Sequence, residues 1–366
     1  MKNTLYSCLL FFAFVTIYCK KSEDPIPVPI PTPKWTKIES GTTDVLLGIT
    51  FPTPTVGYIS GINGKILKTT NAGNSWMPLS TRVNGFIRDI HFSSENTGTA
   101  VGESGMIIRT SNGSTWEAQV SGTSQHLVHV HFIDANTGMA SGQGGVILKT
   151  INGGTNWLSL KSNTTLELAG IYMINANIAF AVGFNGTILK TIDGGTNWTA
   201  QVSGVTSDLR AVFFVDANIG WVVGIGGAVL KTTNGGMTWQ DLTGIAAANL
   251  YSVYFADMNN GFMVGNRKIY VTTDGGAKWV DESPSFSGDL YGAASNGFAN
   301  SWAVGQNGLV KTLKSALQLF GMGSHTFYWL RSLHSFIHRS YSIQKRFLKI
   351  FRNKVGLCPV FVQVQK

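Results

Sequence analysis

Along residues 35–313 apolar and polar positions alternate in short runs, broken repeatedly by clusters of Gly, Asn, Asp and Ser. A period of two over a few residues marks half-buried strands, and the clusters between them mark tight turns. One stretch shows the whole unit. LRAVFF at 209–214 predicts a strand, DANIG at 216–220 a turn and WVV at 221–223 a second strand. GIGG at 224–227 turns the chain, AVLKT at 228–232 predicts a third strand, NGG at 234–236 turns it again, and Trp239 opens a fourth.

The unit recurs. Its third strand and the following turn are written GKILKTTNAGNSW at 64–76, GMIIRTSNGSTW at 105–116, GVILKTINGGTNW at 145–157, GTILKTIDGGTNW at 186–198, GAVLKTTNGGMTW at 227–239 and KIYVTTDGGAKW at 268–279. The closing tryptophans, with Trp35 ahead of them, stand at Trp76, Trp116, Trp157, Trp198, Trp239 and Trp279, every 40 or 41 residues. A fixed period of this length means a repeat architecture, and four strands per period make each unit one blade of a β-propeller. First strands start at Leu46, Ile87, Leu127, Leu168, Leu209, Leu250 and Leu290. The predicted fold is all-β: a seven-bladed β-propeller of four-stranded blades over residues 35–313.

The seventh unit is incomplete. Its second strand is expected at 301–304 and its third at 309–312, but Lys314 stands where the turn Asn or Asp belongs and no Trp follows. WTKI at 35–38 reads like the fourth strands WEAQ at 116–119 and WTAQ at 198–201, and SGT follows it at 40–42 as SGT follows at 121–123. The N-terminal strand is therefore expected to complete the last blade and close the ring, which removes an open edge.

Charge narrows the partners. The net charge of +9 over 366 residues comes from residues 314–366, which hold nine Lys and Arg and no Asp or Glu. The rest is neutral, so a nucleic-acid-binding stripe on the propeller is not predicted. That basic, non-repeating end is read as lying outside the fold. Cys8, Cys19 and Cys358 all fall outside the repeats, which leaves them without a disulfide framework or a cysteine metal site. The seven histidines show no ligand spacing, and His129 and His131 share one strand face as a structural pair. No metal or cofactor is predicted.

Residues 1–19 have one early Lys and then an apolar run, the layout of a secretory signal. Cys19 directly after that run resembles the lipobox of bacterial lipoproteins, although Tyr18 stands where a small residue is usual. The resemblance implies lipidation at Cys19, and the charged residues that follow resemble those of lipoproteins carried to the outer membrane or cell surface. Residues 20–34 read as a tether whose Pro-rich part, 24–34, predicts an extended spacer that would hold the body off the membrane by roughly 30 Å at about 3.1 Å per residue.

The turn before each fourth strand follows Thr-x-Asp/Asn-x-Gly-x-x-Trp, the Asp-box. Asp193 and Asp274 occupy its acidic position, and Asn71, Asn112, Asn152 and Asn234 occupy it in the other copies. A short carboxylate or amide accepts backbone N–H groups of its own turn, Gly supplies positive φ, and the indole packs between sheets. Asn does this without a charge, which argues for structure over catalysis; the shorter second copy, ending at Trp116, predicts a different turn. With Gly-x-x-Gly between second and third strands, the chain resembles the Asp-box (BNR-type) propellers of the photosystem II assembly and stability factor family over about residues 35–313. The resemblance implies a non-enzymatic, monomeric scaffold that binds a protein partner. Asp-boxes also occur in sialidases and xyloglucan-degrading hydrolases, so a glycan-directed protein is the alternative. Asp44, Asp89, Glu103, Glu167 and Asp208 are its candidate carboxylates.

In such a ring the fourth-to-first and second-to-third connections share one face, and the Asp-box turns lie on the other. The residue after the leading apolar position of each first strand is expected at the mouth of the axial channel on the first face. These residues are Leu47, Arg88, Val128, Ala169, Arg210, Tyr251 and Tyr291, and Arg267 belongs to a second-to-third loop of the same face. Arg88, Arg210, Tyr251, Tyr291 and Arg267 are the candidate partner-binding residues, because Arg and Tyr give large contact area with directed hydrogen bonds.

Overall fold

The computed structural model describes residues 35–297 and 300–314. The expected signal segment with Cys19, the tether and the tail after Lys314 lie outside the described residues. Seven four-stranded antiparallel sheets form a propeller of seven blades. In blade 5 the strands are Leu209–Phe214, Gly220–Gly224, Val229–Thr232 and Gln240–Asp241. The second strand thus begins at the Gly expected to end the turn. A Cβ at Gly220 would stand 2.6 Å from the Phe214 ring, so only Gly lets that ring fold over the strand end.

First strands pack against the first strands of neighbouring blades all round the ring, Leu46–Thr50 meeting Leu290–Ser295 where it closes. The core is correspondingly divided. Each of seven apolar clusters lies between two adjacent blades; that between blades 5 and 6 joins Trp221, Val223 and Val229 to Leu250, Val253, Phe255 and Met263. No blade buries its faces alone, so the ring is the smallest unit with a closed core.

Closure is as expected. Trp35–Glu39 pairs antiparallel with Leu309–Lys314, from Trp35 opposite Leu313 to Glu39 opposite Leu309, and completes blade 7 as its outer strand. Trp35 is buried and packs on Phe262 of blade 6 at 5.2 Å. Both ends of the ring strand pair therefore leave from the Asp-box end.

Blade 7 keeps the register of blade 5 when counted from its turn, Val304 opposite Val310 as Val223 is opposite Val229, but its Lys-Thr pair falls one residue early. In blades 1, 3, 4 and 5 the corresponding second-strand residue faces a lysine, as Phe180 opposite Lys190 and Trp221 opposite Lys231, whereas Trp302 faces Thr312. Lys311 thereby takes the place of Leu230, Leu313 that of Thr232, and Lys314 extends the ladder opposite Asn300. The cause is a third strand one residue short after its Gly, GLVKT against GAVLKT. The shortened strand thereby sets Leu313 opposite Trp35, and both are buried with Leu309 in one apolar cluster.

Candidate functional site

At the Asp-box end the repeated polar groups are spent on structure. Thr191 Oγ1 accepts the Gly195 N–H at 2.9 Å and donates to Asp193 Oδ1, which accepts the Asn197 N–H at 2.9 Å. Asn152 makes the same bond to the Asn156 N–H at 3.0 Å. Backbone N–H donation, from Asn197 and Lys278 respectively, holds the Asp193 and Asp274 carboxyls below the usual carboxylate range. In the short second copy the turn does differ: Asn112 accepts the N–H groups of Ser114 and Thr115, two and three residues on. The Asp-box indoles stand edge-on to inner phenylalanines, as Trp76 on Phe51, Trp116 on Phe92, Trp157 on Phe132 and Trp279 on Phe255.

A tie that sequence reasoning missed joins four of the six such turns to the blade before. Lys149, Lys190 and Lys231 reach across and donate to Gly194, Gly235 and Gly275 carbonyls, each at 2.7 Å, and Lys68 donates to Gly113 at 3.2 Å. The Lys-Thr pair recurs in the repeat, which was the available signal. In blade 6 Val271 takes the lysine's place, facing a blade without an Asp-box turn.

The channel mouth is built differently. In all seven first strands the ladder slips between the leading residue and the third, so that the second residue stands in a β-bulge. These bulged residues are the seven expected at the mouth. A bulge re-aims side chains that regular pleating would send to alternate sides. Both Arg88 and Asp89, Val128 and His129, and Tyr251 and Ser252 are accordingly only part-buried.

The predicted residues meet in part. Tyr251 and Tyr291 touch, with ring centroids 5.2 Å apart, and Tyr291 accepts a hydrogen bond from Gln306 at 2.9 Å. Arg210 lies 4.7 Å over the Phe184 ring, 3.4 Å from Asp208 and 3.9 Å from Glu167. Arg88 lies over Phe86 at 5.5 Å, and among the described residues it makes no ion pair; its Nε is buried without a partner. In blade order Arg210, Tyr251, Tyr291, Leu47 and Arg88 are consecutive, so an arginine flanks each end of an aromatic and aliphatic arc. Val128 and Ala169 complete the ring with small residues. Arg267 is exposed at its loop tip and not joined to this arc.

Arg267 has φ 52°, at a position that Asn63, Ser104, Gly144, Asn185, Gly226 and Asn307 fill in the other blades. Arg82, in the loop entering blade 2, has φ 60° where Gly41, Gly122 and Gly204 serve elsewhere. A bulky residue in the left-handed region costs on the order of 1 kcal/mol. Arg82 was not singled out from the sequence, since its backbone conformation is visible only in the fold.

The candidate carboxylates of the glycan-directed alternative are already engaged. Asp44 binds Lys65 at 3.1 Å and Asn63, and the Lys65 bond holds its carboxyl low, the opposite of a general acid. Asp89 accepts the Val130 N–H at 2.9 Å, Glu103 the Phe86 N–H, Asp208 the Asn185 N–H, and Glu167 faces Arg210.

The sequence family described as photosynthesis system II assembly factor YCF48 matches residues 74–212 and 204–279, more than half of the chain. The chain belongs to this YCF48 family. Two solved structures share its fold. YCF48 bound to D1 peptide is 18% identical, with a TM-score of 0.66 over 76% of this chain and 94% of that one. YCF48 from Cyanidioschyzon merolae is 19% identical, with a TM-score of 0.64 over 77% of this chain and 98% of that one. No curated protein matches the chain in sequence.

Proposed function

We propose that this YCF48-family propeller is a non-enzymatic assembly scaffold that holds a segment of a partner protein at the mouth of its loop face. The observation that carries the reading is the asymmetry of the mouth: a contacting tyrosine pair lies between two arginines, and Arg88 makes no ion pair among the described residues. Aromatic and arginine anchors of this kind dominate protein interfaces, and a guanidinium already stacked on a ring is preorganised for a carboxylate or carbonyl group. That a YCF48 of the same fold binds a D1 peptide supports a peptide-like partner here.

The chain is also proposed to be an exported lipoprotein, held at the outer membrane or cell surface through Cys19. Labelling with a fatty-acid probe tests the anchor: the Cys19→Ser variant is expected to lose the label, and equal labelling would exclude the site. For the scaffold, the partner recovered with the intact chain is expected to bind Arg88→Ala/Arg210→Ala more than tenfold more weakly, about 1.4 kcal/mol, at unchanged melting. Unchanged affinity would remove the mouth from the account.

A further inference from the structure

The fifth residue of each first strand forms a second ring below the mouth: Thr50, His91, His131, Tyr172, Phe213, Tyr254 and Ala294. From blade 2 to blade 6 these are aromatic, and each touches the next, with centroids 4.9, 4.4, 5.5 and 4.8 Å apart. Blades 4 to 6 fill the arc with Tyr and Phe, whereas blades 2 and 3 fill it with histidine. A third histidine, His129, lies in the bulge of blade 3 with Nδ1 3.6 Å from Asp89 Oδ2. His131 Nδ1 accepts the Met173 N–H at 3.3 Å, so its neutral form carries the proton on Nε2, and His91 Nδ1 is buried without a partner. Among the described residues no cluster of His, Cys, Asp or Glu is arranged to hold a metal ion.

We propose that this histidine cluster makes the contact between blades 2 and 3 the acid-labile seam of the ring. Neutral imidazoles pack there as aromatic rings. Protonated ones would be like charges in contact, in a setting with little to balance them. The groups facing the cluster are few. Blade 2 brings Arg88 and Asp89 on the same strand and Glu103 on the turn packed against Leu127–Phe132, blade 1 brings Tyr58 on Gly57–Gly61 and blade 4 brings Tyr172, while Leu46–Thr50, Gly98–Gly102 and Gly138–Gly142 bring no ionisable side chain. Of the two carboxylates, Glu103 accepts the Phe86 N–H, and Asp89 Oδ2 already accepts the Val130 N–H and faces His129. Arg88 adds positive charge.

Burial lowers His91 to about 4, with His129 adding to the effect, and lowers His131 well below the ordinary range. An unfolded imidazole titrates near 6.5, so the unfolded chain takes up protons that the folded one refuses. Stability that is complete above about pH 6.5 is therefore lost as the pH falls towards 4.

The test uses hydrogen exchange of the full chain at pH 7 and pH 4.5, corrected for intrinsic rates, with an acid titration of folding. The comparison variant is His91→Phe/His131→Tyr, which installs ring types that blades 4 to 6 already hold at this level. The inner strands Ile87–Phe92 and Leu127–Phe132 should lose protection more than tenfold at pH 4.5, while Leu209–Phe214 and Leu250–Phe255 keep theirs. The double variant should keep protection throughout and unfold about one pH unit lower. Should it fail to fold, His91→Phe alone is measured and is expected to shift the acid midpoint in the same direction. An unshifted midpoint in the folded variant, or loss of protection spread evenly round the ring, would overturn the proposal.

Discussion

The two ends of the propeller are made from the same seven repeats and use them in opposite ways. At the Asp-box end the repeats agree, and their polar groups are paired within the chain: Thr with Gly N–H, Asp or Asn with its own turn, Lys with the next turn's carbonyl. At the mouth the repeats disagree, with Leu, Arg, Val, Ala, Arg, Tyr and Tyr at one bulged position, and Arg88 makes no ion pair among the described residues. What every blade shares serves the fold. What each blade varies is free to serve a partner, because the fold does not depend on which side chain fills a bulge.

If that division is right, removing repeated features should unfold the ring and removing mouth features should not. Deleting residues 35–40 strips the outer strand of blade 7 and is expected to abolish cooperative unfolding and promote aggregation, whereas truncation after Lys314 leaves a cooperative domain. A melt by circular dichroism with light scattering separates these outcomes. Trp198→Ala should cost about 3 to 5 kcal/mol in denaturant unfolding, since it empties a buried site between blades 3 and 4. Lys190→Met, which removes one inter-blade bond, should cost about 1.5 kcal/mol by the same assay. Asp193→Asn should be nearly silent at neutral pH, because Asn152 makes the same bond. A loss of partner binding in Asp193→Asn without a stability change would move function to the Asp-box end and break the comparison.

Blade number, strand order and ring closure were legible in the sequence because each rests on a local signal repeated at a fixed period. The side-chain placement in blade 7 was not read, since its shortened strand still reads as GLVKT, yet the ladder sets Leu313 opposite Trp35 and Thr312 opposite Trp302. The mouth was half legible. Counting from the leading apolar residue found Arg88, Arg210, Tyr251 and Tyr291, but the bulge that aims them depends on hydrogen bonds across the ladder. Arg82, at positive φ, and the reach of Lys190 to Gly235 depend on backbone conformation and on a neighbour one blade away, which no period in the sequence reports.

The division between the two ends is tested most directly by replacing single residues with a photo-crosslinking amino acid in the producing cell. Tyr251 reports on the mouth, and Ile192, 69% exposed on an Asp-box turn, reports on the opposite face. The account predicts one discrete protein adduct from position 251 that disappears in the Arg88→Ala/Arg210→Ala background, and none from position 192. An adduct from position 192 alone, or one from 251 that survives loss of both arginines, would contradict it.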